Sequence, residues 1–274
     1  MKLSIIIVNY NVTDLLRNCL VSIRKFVKDC EVIVIDNFSS DVSWKNLISE
    51  FPEVRFIENL ENEGFSKANN KAVKTANGEY ILLLNPDTEI EGFYMAELLD
   101  FADAQENFGA LGVRMHDANG VFLPESKRSV PDMFNSFEKL FVNFRKNNSK
   151  SYYRNDISEF EIAETEVVTG AFLLAQKEIY EKIGGLDERY FMYGEDIDLC
   201  YTFLKNGYRN FYYGKVSILH HKGESTEKNE IYLKRFYGAM NIFVDKYYKQ
   251  KPFQKFILKI GLKIKYSIEK VKLG

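Results

Sequence analysis

The sequence has few cysteines and no long apolar run. Its three cysteines, Cys19, Cys30 and Cys200, are an odd number, and no two of them are close enough in sequence to form a metal-binding pair. This pattern excludes a disulfide framework and indicates a reducing compartment. No stretch reaches the roughly 18 consecutive apolar residues of a membrane span, and the first residues lack the charged region and cleavage site of a signal peptide. We therefore predict a cytoplasmic protein.

The chain also has little net charge. Its formal net charge is −2, so the chain as a whole carries no nucleic-acid-binding signature. Hydrophobic residues account for 46% and charged residues for 28%, which is the balance of an ordinary globular protein with ample material for a core. A length of 274 residues suits one large α/β domain with appendages better than two compact domains.

Apolar runs and segments of helical periodicity alternate over the first part of the chain. The predicted strands cover residues 3–8, 31–36, 54–58, 80–84 and 110–115. The helices predicted between them include residues 66–75 and 92–106. This alternation predicts an α/β fold with a Rossmann-like, mostly parallel sheet flanked by helices, in which ligands bind beyond the carboxyl ends of the strands. The polar residues at those strand ends, which we expect to share one rim of the sheet, are Asn9, Asp36, Asn37, Asn85 and Asp87.

Beyond residue 116 the pattern is less regular. Residues 125–165 lack clear periodicity and are predicted to form a loop-and-helix insertion. We predict one strand over residues 165–175, a helix over 178–183, a second helix that starts near Glu195 and a strand over 216–219.

The segment Asn85-Pro86-Asp87 is a candidate metal site. Pro86 ends the most apolar predicted strand and makes the turn rigid, which holds Asp87 at the rim of the sheet. A divalent cation on oxygen ligands can neutralise the charge that grows on a diphosphate leaving group. The alternative, in which Asp87 only caps the following helix, stays open on this motif alone.

Two acids and one histidine are further candidates. Glu195 and Asp196 stand at the start of a predicted helix, where an ionised carboxylate is stabilised and can take a proton from a hydroxyl. Plain helix capping is the alternative. His220 follows a strand-like run and can complete an oxygen-rich metal site, whereas His116 and His221 are interpreted as structural histidines.

A series of short segments carries a family resemblance. The segments are residues 5–11, 36–41, 62–70, 85–87, 169–171, 185–187, 195–196 and 220–225. In this order they resemble the family 2 glycosyltransferases, in particular the rhamnosyltransferase-like group, over about residues 1–225. One departure is Asn85, which stands where the broader family has Asp. Because an amide is a weaker ligand than a carboxylate, metal affinity would depend more on Asp87, His220 and the donor diphosphate.

The resemblance implies a GT-A fold and an inverting transfer from a nucleoside-diphosphate sugar, dTDP-rhamnose or a UDP-sugar, to a hydroxyl of a cell-surface glycan or lipid-linked oligosaccharide. It implies that Asp196 is the base, that Glu195 orients this base or the acceptor, and that Asp87 and His220 hold Mg²⁺ or Mn²⁺. The residues implied at the donor are Val8, Asn9, Tyr10, Asp36, Asn37, Asn62, Gly64, Phe65, Asn69, Asn85 and Pro86. The residues implied at the acceptor are Thr169, Gly170, Ala171 and Asp187.

Two other functions compete with this interpretation. A catalytically silent nucleotide-sugar binding module is disfavoured because Asp87, Asp196 and His220 all occur together. A dinucleotide-dependent oxidoreductase would carry a Gly-x-Gly-x-x-Gly turn after the first strand. Residues 9–14 contain no glycine, which excludes that alternative.

The sequence divides into a catalytic domain and a C-terminal extension. We predict a nucleotide-sugar half over about residues 1–115, an acceptor half over about 116–225, and a helical extension over 226–274. In the extension, Phe256, Ile260, Ile264 and Ile268 recur at a step of four among lysines, which predicts a basic amphipathic helix. Such a helix binds an anionic membrane surface, packs on the body of the protein or contacts a dimer partner.

Overall fold

A computed structural model describes residues 1–92, 94–131, 152–221 and 229–273 of the chain. Its strands are β1 Leu3–Asn9, β2 Cys30–Asp36, β3 Arg55–Glu58, β4 Tyr80–Leu84, β5 Thr88–Ile90, β6 Phe108–His116, β7 Lys127–Arg128, β8 Ile162–Thr165, β9 Val167–Val168, β10 Phe172–Gln176 and β11 Arg209–His220. Its α-helices are α1 Thr13–Phe26, α2 Asn46–Glu50, α3 Phe65–Val73, α4 Met95–Asp103, α5 Lys177–Lys182, α6 Glu195–Lys205, α7 Glu230–Tyr247 and α8 Pro252–Leu273.

Within the described residues, nine strands form one sheet in the order β3-β2-β1-β4-β10-β6-β11-β5, with β8 also paired to β11. The strands β3, β2, β1 and β4 are parallel, whereas β10 runs antiparallel to both of its neighbours, β4 and β6. The predicted α/β class is confirmed, and the part of the sheet beyond β4 is mixed. The β1–β2 register sets Asn9 opposite Asp36, so the polar strand ends do meet at one rim.

Helices cover both faces of this sheet. Side chains of β1 alternate between two core clusters, with Ile5 in one and Ile6 in the other. The first cluster includes Leu16 of α1 and Leu98 of α4, and the second includes Ala72 of α3. Burial on both faces explains why β1 and β4 consist almost entirely of apolar residues, which is the pattern that made them visible in the sequence.

The prediction of one strand over residues 165–175 is wrong. The segment divides into the end of β8, the short strand β9 and most of β10, because a turn at residues 169–171 interrupts it. The amide of Phe172 donates to the carbonyl of Thr169 (3.3 Å), which closes that turn. The region predicted as an insertion, 125–165, contains β7 and β8, and its residues 132–151 lie outside the described part of the chain.

The predicted C-terminal helical extension is confirmed as the helices α7 and α8. They pack on each other through the buried side chains Leu233, Tyr237, Val244, Leu258 and Leu262. Among the helices that the structure describes, none is both long enough and apolar enough to cross a membrane.

Candidate active site

The ends of β1 and β2 hold a buried carboxylate. Asp36 is 2% exposed, and its Oδ1 accepts hydrogen bonds from Asn9 Nδ2 (2.7 Å) and Ser39 Oγ (2.6 Å). The amide of Ser39 donates to Asp36 Oδ2 (2.9 Å). The short turn from Asp36 to Ser39 therefore fixes the carboxylate at the rim. On either side of Asn9, Val8 is buried in the sheet and Tyr10 is 46% exposed beyond the strand end.

An amide network holds the next loop against this carboxylate. Asn37 Nδ2 donates to Asn62 Oδ1 (3.0 Å), and Asn37 Oδ1 accepts from Asn59 Nδ2 (3.0 Å) and from the amide of Glu63 (3.1 Å). Asn37 and Asn62, both predicted at the donor, thus shape the loop that borders Asp36. Asn59 was missed, because an isolated loop asparagine gives no signal in the sequence.

Gly64 and Phe65 connect this loop to the segment before α6. Gly64 has φ +83°, and a Cβ there would lie 2.7 Å from the carbonyl oxygen of Phe191. The amide of Phe65 donates to that same oxygen (2.6 Å). Asn69 Nδ2 donates to the carbonyl of Phe65 (2.9 Å), so Asn69 supports the start of α3. Only glycine fits at position 64, since both the left-handed backbone and the close approach exclude a side chain.

Asn70 is a further residue that sequence reasoning missed. Its Oδ1 accepts from the hydroxyl of Tyr180 (2.6 Å) and the amide of Leu186 (3.1 Å), and its Nδ2 donates to the Leu186 carbonyl (2.8 Å). Asn70 thereby ties α3 to the turn after α5. The sequence placed Asn70 at the end of the resemblance segment 62–70 but assigned it no role.

The predicted metal residues Asp87 and His220 are neighbours. The pairing of β5 with β11 sets Thr88 opposite His220. His220 Nε2 consequently lies 3.4 Å from Asp87 Oδ1, and Asp87 is 3% exposed. His220 Nδ1 and Asn85 Oδ1 are buried and make no hydrogen bond within the described residues. Pro86, which lies between Asn85 and Asp87 in the chain, is also buried.

The turn at residues 169–171 lies between the two halves of the site. On one side the amide of Asn85, two residues before Asp87, donates to the Ala171 carbonyl (3.1 Å). On the other side the amide of Gly170 donates to Asp196 Oδ2 (3.1 Å). Thr169 Oγ1 accepts from the amide of Ala171 (3.3 Å) and so stabilises the turn itself. The predicted metal segment and the predicted base are therefore positioned by one short backbone segment.

Asp196 forms an ion pair with a buried arginine. Arg128 is 9% exposed, and its Nη2 donates to Asp196 Oδ2 (2.6 Å) and to the carbonyl of Val168 (3.2 Å). Burial is the largest single influence on the pKa of Arg128 and lowers it, but the charges and hydrogen bonds of Asp196 and Tyr152 together outweigh burial and raise the pKa. The amide of Ile197 donates to Asp196 Oδ1 (2.8 Å). Arg128 was missed because it lies in the irregular region, far from Asp196 in sequence.

Glu195 has a different environment from its neighbour Asp196. It is 8% exposed, and its Oε2 is buried without a hydrogen-bond partner among the described residues. Burial raises the pKa of Glu195 to about 8, and the charge of Asp196 contributes to the same shift. Glu195 is thus held largely neutral near neutral pH, and acids with a raised pKa are common in sites that transfer protons.

Asp187, which the resemblance implies at the acceptor, takes part in an ion cluster. Its carboxylate accepts hydrogen bonds from Arg189 Nη2 (2.6 Å) and Lys246 Nζ (2.9 Å). The hydrogen bond from Arg189 is the largest cause that lowers the pKa of Asp187, and Lys246 adds to it. Because Lys246 belongs to α7, this cluster joins the turn after α5 to the C-terminal extension. Its role toward an acceptor stays a prediction.

A cavity of about 450 Å³ opens beside Glu195 and Asp196. Its wall is mainly apolar and aromatic, and α7 and α8 contribute much of it. Side chains from these two helices that line the cavity include Tyr237, Met240, Phe243, Leu258 and Leu262. The predicted acids therefore face a space large enough for part of a ligand, enclosed partly by the C-terminal helices.

Comparisons with known proteins identify the family and the fold of this chain. The model of the glycosyl transferase family 2 matches residues 4–184. The chain is 28% identical over 211 residues to the N-acetylglucosaminyl-diphospho-decaprenol L-rhamnosyltransferase of Mycobacterium tuberculosis, which covers 72% of this chain and 68% of that relative. It is 26% identical over 228 residues to the rhamnosyltransferase WbbL of Escherichia coli K12, with 79% of this chain and 82% of the relative covered.

A solved structure shows the same fold. The crystal structure of GalNAc-T7 with UDP, GalNAc and Mn²⁺ matches 93% of this chain with a TM-score of 0.64, at 15% identity. The match covers 51% of that structure's chain, so this chain spans about half of its length. At this identity the likeness concerns the fold, which is the GT-A fold that the resemblance implied. Since the family model covers more than half of the chain, the protein belongs to the family 2 glycosyltransferases and is a glycosyltransferase.

Proposed function

We propose that this glycosyltransferase binds a nucleoside-diphosphate sugar along the rim formed by β1, β2 and β4, and transfers the sugar to a hydroxyl group held beside Glu195 and Asp196. Asp36 would accept a hydrogen bond from a ring N–H of the base, which uracil and thymine both offer. The donor-binding residues are those that border this rim, from Asn9 to the loop that ends at Gly64.

The turn at residues 169–171 is the observation that supports this proposal most. Transfer requires the leaving group and the base to lie on opposite sides of the reacting carbon, a few ångströms apart. The turn contacts Asn85 through Ala171 (3.1 Å) and Asp196 through Gly170 (3.1 Å). A sugar above the turn would therefore have its diphosphate toward Asp87 and its acceptor toward Asp196.

The residues near Asp87 fit a divalent cation. A carboxylate, an imidazole nitrogen 3.4 Å from it and a buried amide oxygen at Asn85 are suitable ligands for Mg²⁺ or Mn²⁺. Within the described ranges, no group of three or more His, Cys, Asp and Glu residues forms a complete site. Asp87 and His220 would therefore hold the cation together with the donor diphosphate. When bound, the cation would offset the negative charge of the departing diphosphate.

The chain's own residues account for the proton transfer. Asp196 would accept the proton of the acceptor hydroxyl while the hydroxyl oxygen forms a bond to the anomeric carbon. The bond from that carbon to the diphosphate oxygen breaks, and its electron pair leaves with the nucleoside diphosphate. Attack from the side opposite the leaving group inverts the anomeric configuration. Arg128 and the amide of Gly170 hold Asp196 in place, and neutral Glu195 would orient the acceptor.

The sugar and the acceptor are proposed from the relatives. Both rhamnosyltransferase relatives support a deoxyhexose donor such as dTDP-rhamnose, with a UDP-sugar as the second candidate. The name of the Mycobacterium tuberculosis relative gives it a lipid-linked acceptor. A lipid-linked oligosaccharide or a cell-surface glycan is thus the proposed acceptor here, and the cavity beside Glu195 would receive part of it.

Asp87→Asn tests the site directly. We expect this change to weaken Mn²⁺ binding to the protein with UDP or dTDP by at least about tenfold, measured by isothermal titration calorimetry. Metal-stimulated hydrolysis of nucleotide sugars should fall in parallel. Glu89→Gln is the matched control, since Glu89 lies two residues after Asp87 and its Oε1 contacts His221 Nε2 (2.7 Å), the residue after His220.

Two results would contradict the proposal. If Asp87→Asn binds Mn²⁺ and turns over donor as the wild type does, the metal assignment fails. If Asp196→Asn keeps the full rate of transfer, the base is another residue. A screen of nucleotide sugars with and without Mn²⁺ identifies the donor for both assays.

A further inference from the structure

Helix α8 has apolar residues on two different faces. Leu258 and Leu262 are 5% and 4% exposed and pack against α7. On another side of the helix, five large apolar side chains remain between 43% and 74% exposed. These residues, which we call the α8 stripe, are Phe253, Phe256, Ile260, Ile264 and Ile268. Packing against α7 therefore explains why Leu258 and Leu262 are apolar, but it does not explain why the residues of the α8 stripe are apolar.

The stripe is continuous along most of the helix. Its members follow one another at steps of three and four residues, which places them on one side of an α-helix. From Phe253 to Ile268 this side extends for about 22 Å, at about 1.5 Å per residue. Val271, 80% exposed, continues it for a further turn. A contiguous exposed apolar surface of this length marks a contact site for a membrane or another protein.

Charge distinguishes between these two partners. The helix Pro252–Leu273 contains six lysines and one acid, Glu269, whereas the whole chain has a formal net charge of −2. At about 100° per residue, Lys263 projects along one border of the stripe and Lys272 along the other, and neither forms an ion pair among the described residues. The other four lysines form ion pairs: Lys255 and Lys259 with Asp245 of α7, Lys270 with Glu230 of α7, and Lys265 with Glu269 of α8 itself. The basic charge of α8 is therefore partly balanced, and Lys263 and Lys272 carry its positive charge at the borders of the stripe.

We propose that α8 docks on an anionic lipid surface, with the α8 stripe buried at the level of the headgroups and the bordering lysines facing lipid phosphates. A helix with one apolar side and basic flanks lies in the plane of a membrane in this way. A two-fold dimer through the same stripe would bring the lysine borders of two copies close together, which is unfavourable. The docking concerns α8 alone and does not depend on which donor the enzyme uses.

Vesicle flotation tests the proposal with the full chain. Wild-type protein should float with vesicles that contain phosphatidylglycerol and much less with pure phosphatidylcholine, and higher ionic strength should weaken the binding. The partition coefficient of the double variant Ile260→Ser/Ile264→Ser onto these anionic vesicles should be lower than that of the wild type by at least about tenfold. The matched control is Val21→Ser/Ile48→Ser, because these residues are 48% and 47% exposed on α1 and α2, close to the 43% and 47% of Ile260 and Ile264.

A second variant, Lys263→Gln/Lys272→Gln, tests the electrostatic part and should reduce the preference for anionic vesicles. Two outcomes would overturn the proposal. Wild type could fail to float with any vesicle, or the stripe variant and the control could float equally. In the first case, a wild-type dimer in light scattering that the stripe variant loses would make the stripe an interface between two copies.

Discussion

At the scale of single residues, the site depends on two adjacent acids in opposite environments. Asp196 is hydrogen bonded by Arg128, by the amide of Gly170 and by the amide of Ile197, so donors surround its charge. Glu195 is buried with an oxygen that has no hydrogen-bond partner among the described residues. A second negative charge beside Asp196 would be costly, and protonation of Glu195 avoids it.

This difference predicts how stability depends on pH. The pKa of Glu195 rises from 4.5 to about 8 in the folded chain, first through burial and then through the charge of Asp196. Unfolded protein therefore binds fewer protons at Glu195 between these two values. The stabilising contribution of the neutral acid is complete below pH 4.5 and is lost as pH rises through about 8.

Glu195→Gln should remove that loss, because glutamine stays neutral. Across the same window, the unfolding free energy of the variant should rise relative to the wild type by up to about 1.4 kcal/mol per pH unit. Urea unfolding at a series of pH values measures the difference. Glu89→Gln is a suitable comparison, since Glu89 is only partly buried. Parallel pH profiles for Glu195→Gln and wild type would show that Glu195 is ionised in the folded protein.

Residue types at strand ends could be predicted, but their supporting partners could not. Asp36 and Asp87 follow buried apolar strands, and this local signal suffices to place them at the rim. Arg128 contacts Asp196 across 68 positions of sequence. A contact of that kind depends on how β7 and α6 pack, and a single sequence carries no record of it.

At the scale of elements, apolar periodicity predicted the parallel half of the sheet and missed details of the mixed half. The strands β1, β2 and β4 were predicted nearly to the residue because both of their faces are buried. β5 was not predicted, because three residues are too few for a pattern. Yet the pairing of β5 with β11 is what brings His220 to Asp87. The sequence named the two metal candidates on separate segments, and only the structure shows that they are neighbours.

The extension is attached to the catalytic part by Lys246 of α7. Its Nζ lies 2.9 Å from Asp187 Oδ2 and 2.7 Å from Asp198 Oδ2, and the side chain of Asp198 is 2% exposed. Lys246→Met would leave two acids without this cation. Since the lysine side chain is 27% exposed, water screens part of the effect, and we expect a loss of about 2–3 kcal/mol in unfolding free energy.

Lys234→Met is the control for that measurement. Lys234 also lies on α7 and pairs with Glu230, but these side chains are 63% and 47% exposed. Pairs of this kind contribute less than about 1 kcal/mol. Chemical denaturation of both variants gives the comparison, and equal stability of the two would show that Lys246 does not anchor α7.

At the scale of the whole molecule, one helix contacts both the cavity and the outside. Leu258 and Leu262 of α8 line the cavity beside Glu195 and Asp196. Ile260 and Ile264 of the same helix belong to the exposed α8 stripe. If the stripe docks on lipid, the cavity lies close to the membrane surface. An acceptor anchored in that membrane would then reach the acids without leaving the lipid.

This arrangement predicts that the benefit of docking depends on how the acceptor is presented. With a lipid-linked acceptor in phosphatidylglycerol vesicles, Ile260→Ser/Ile264→Ser should transfer sugar about tenfold more slowly than wild type, because it loses the high local concentration at the surface. With a short-chain acceptor in solution the two should agree within about twofold, since the substituted residues face away from the cavity. Radiolabelled donor and product extraction measure both rates. An equal loss on both acceptors would mean that the substitutions disturb the cavity, and an equal rate on both would mean that docking does not serve catalysis.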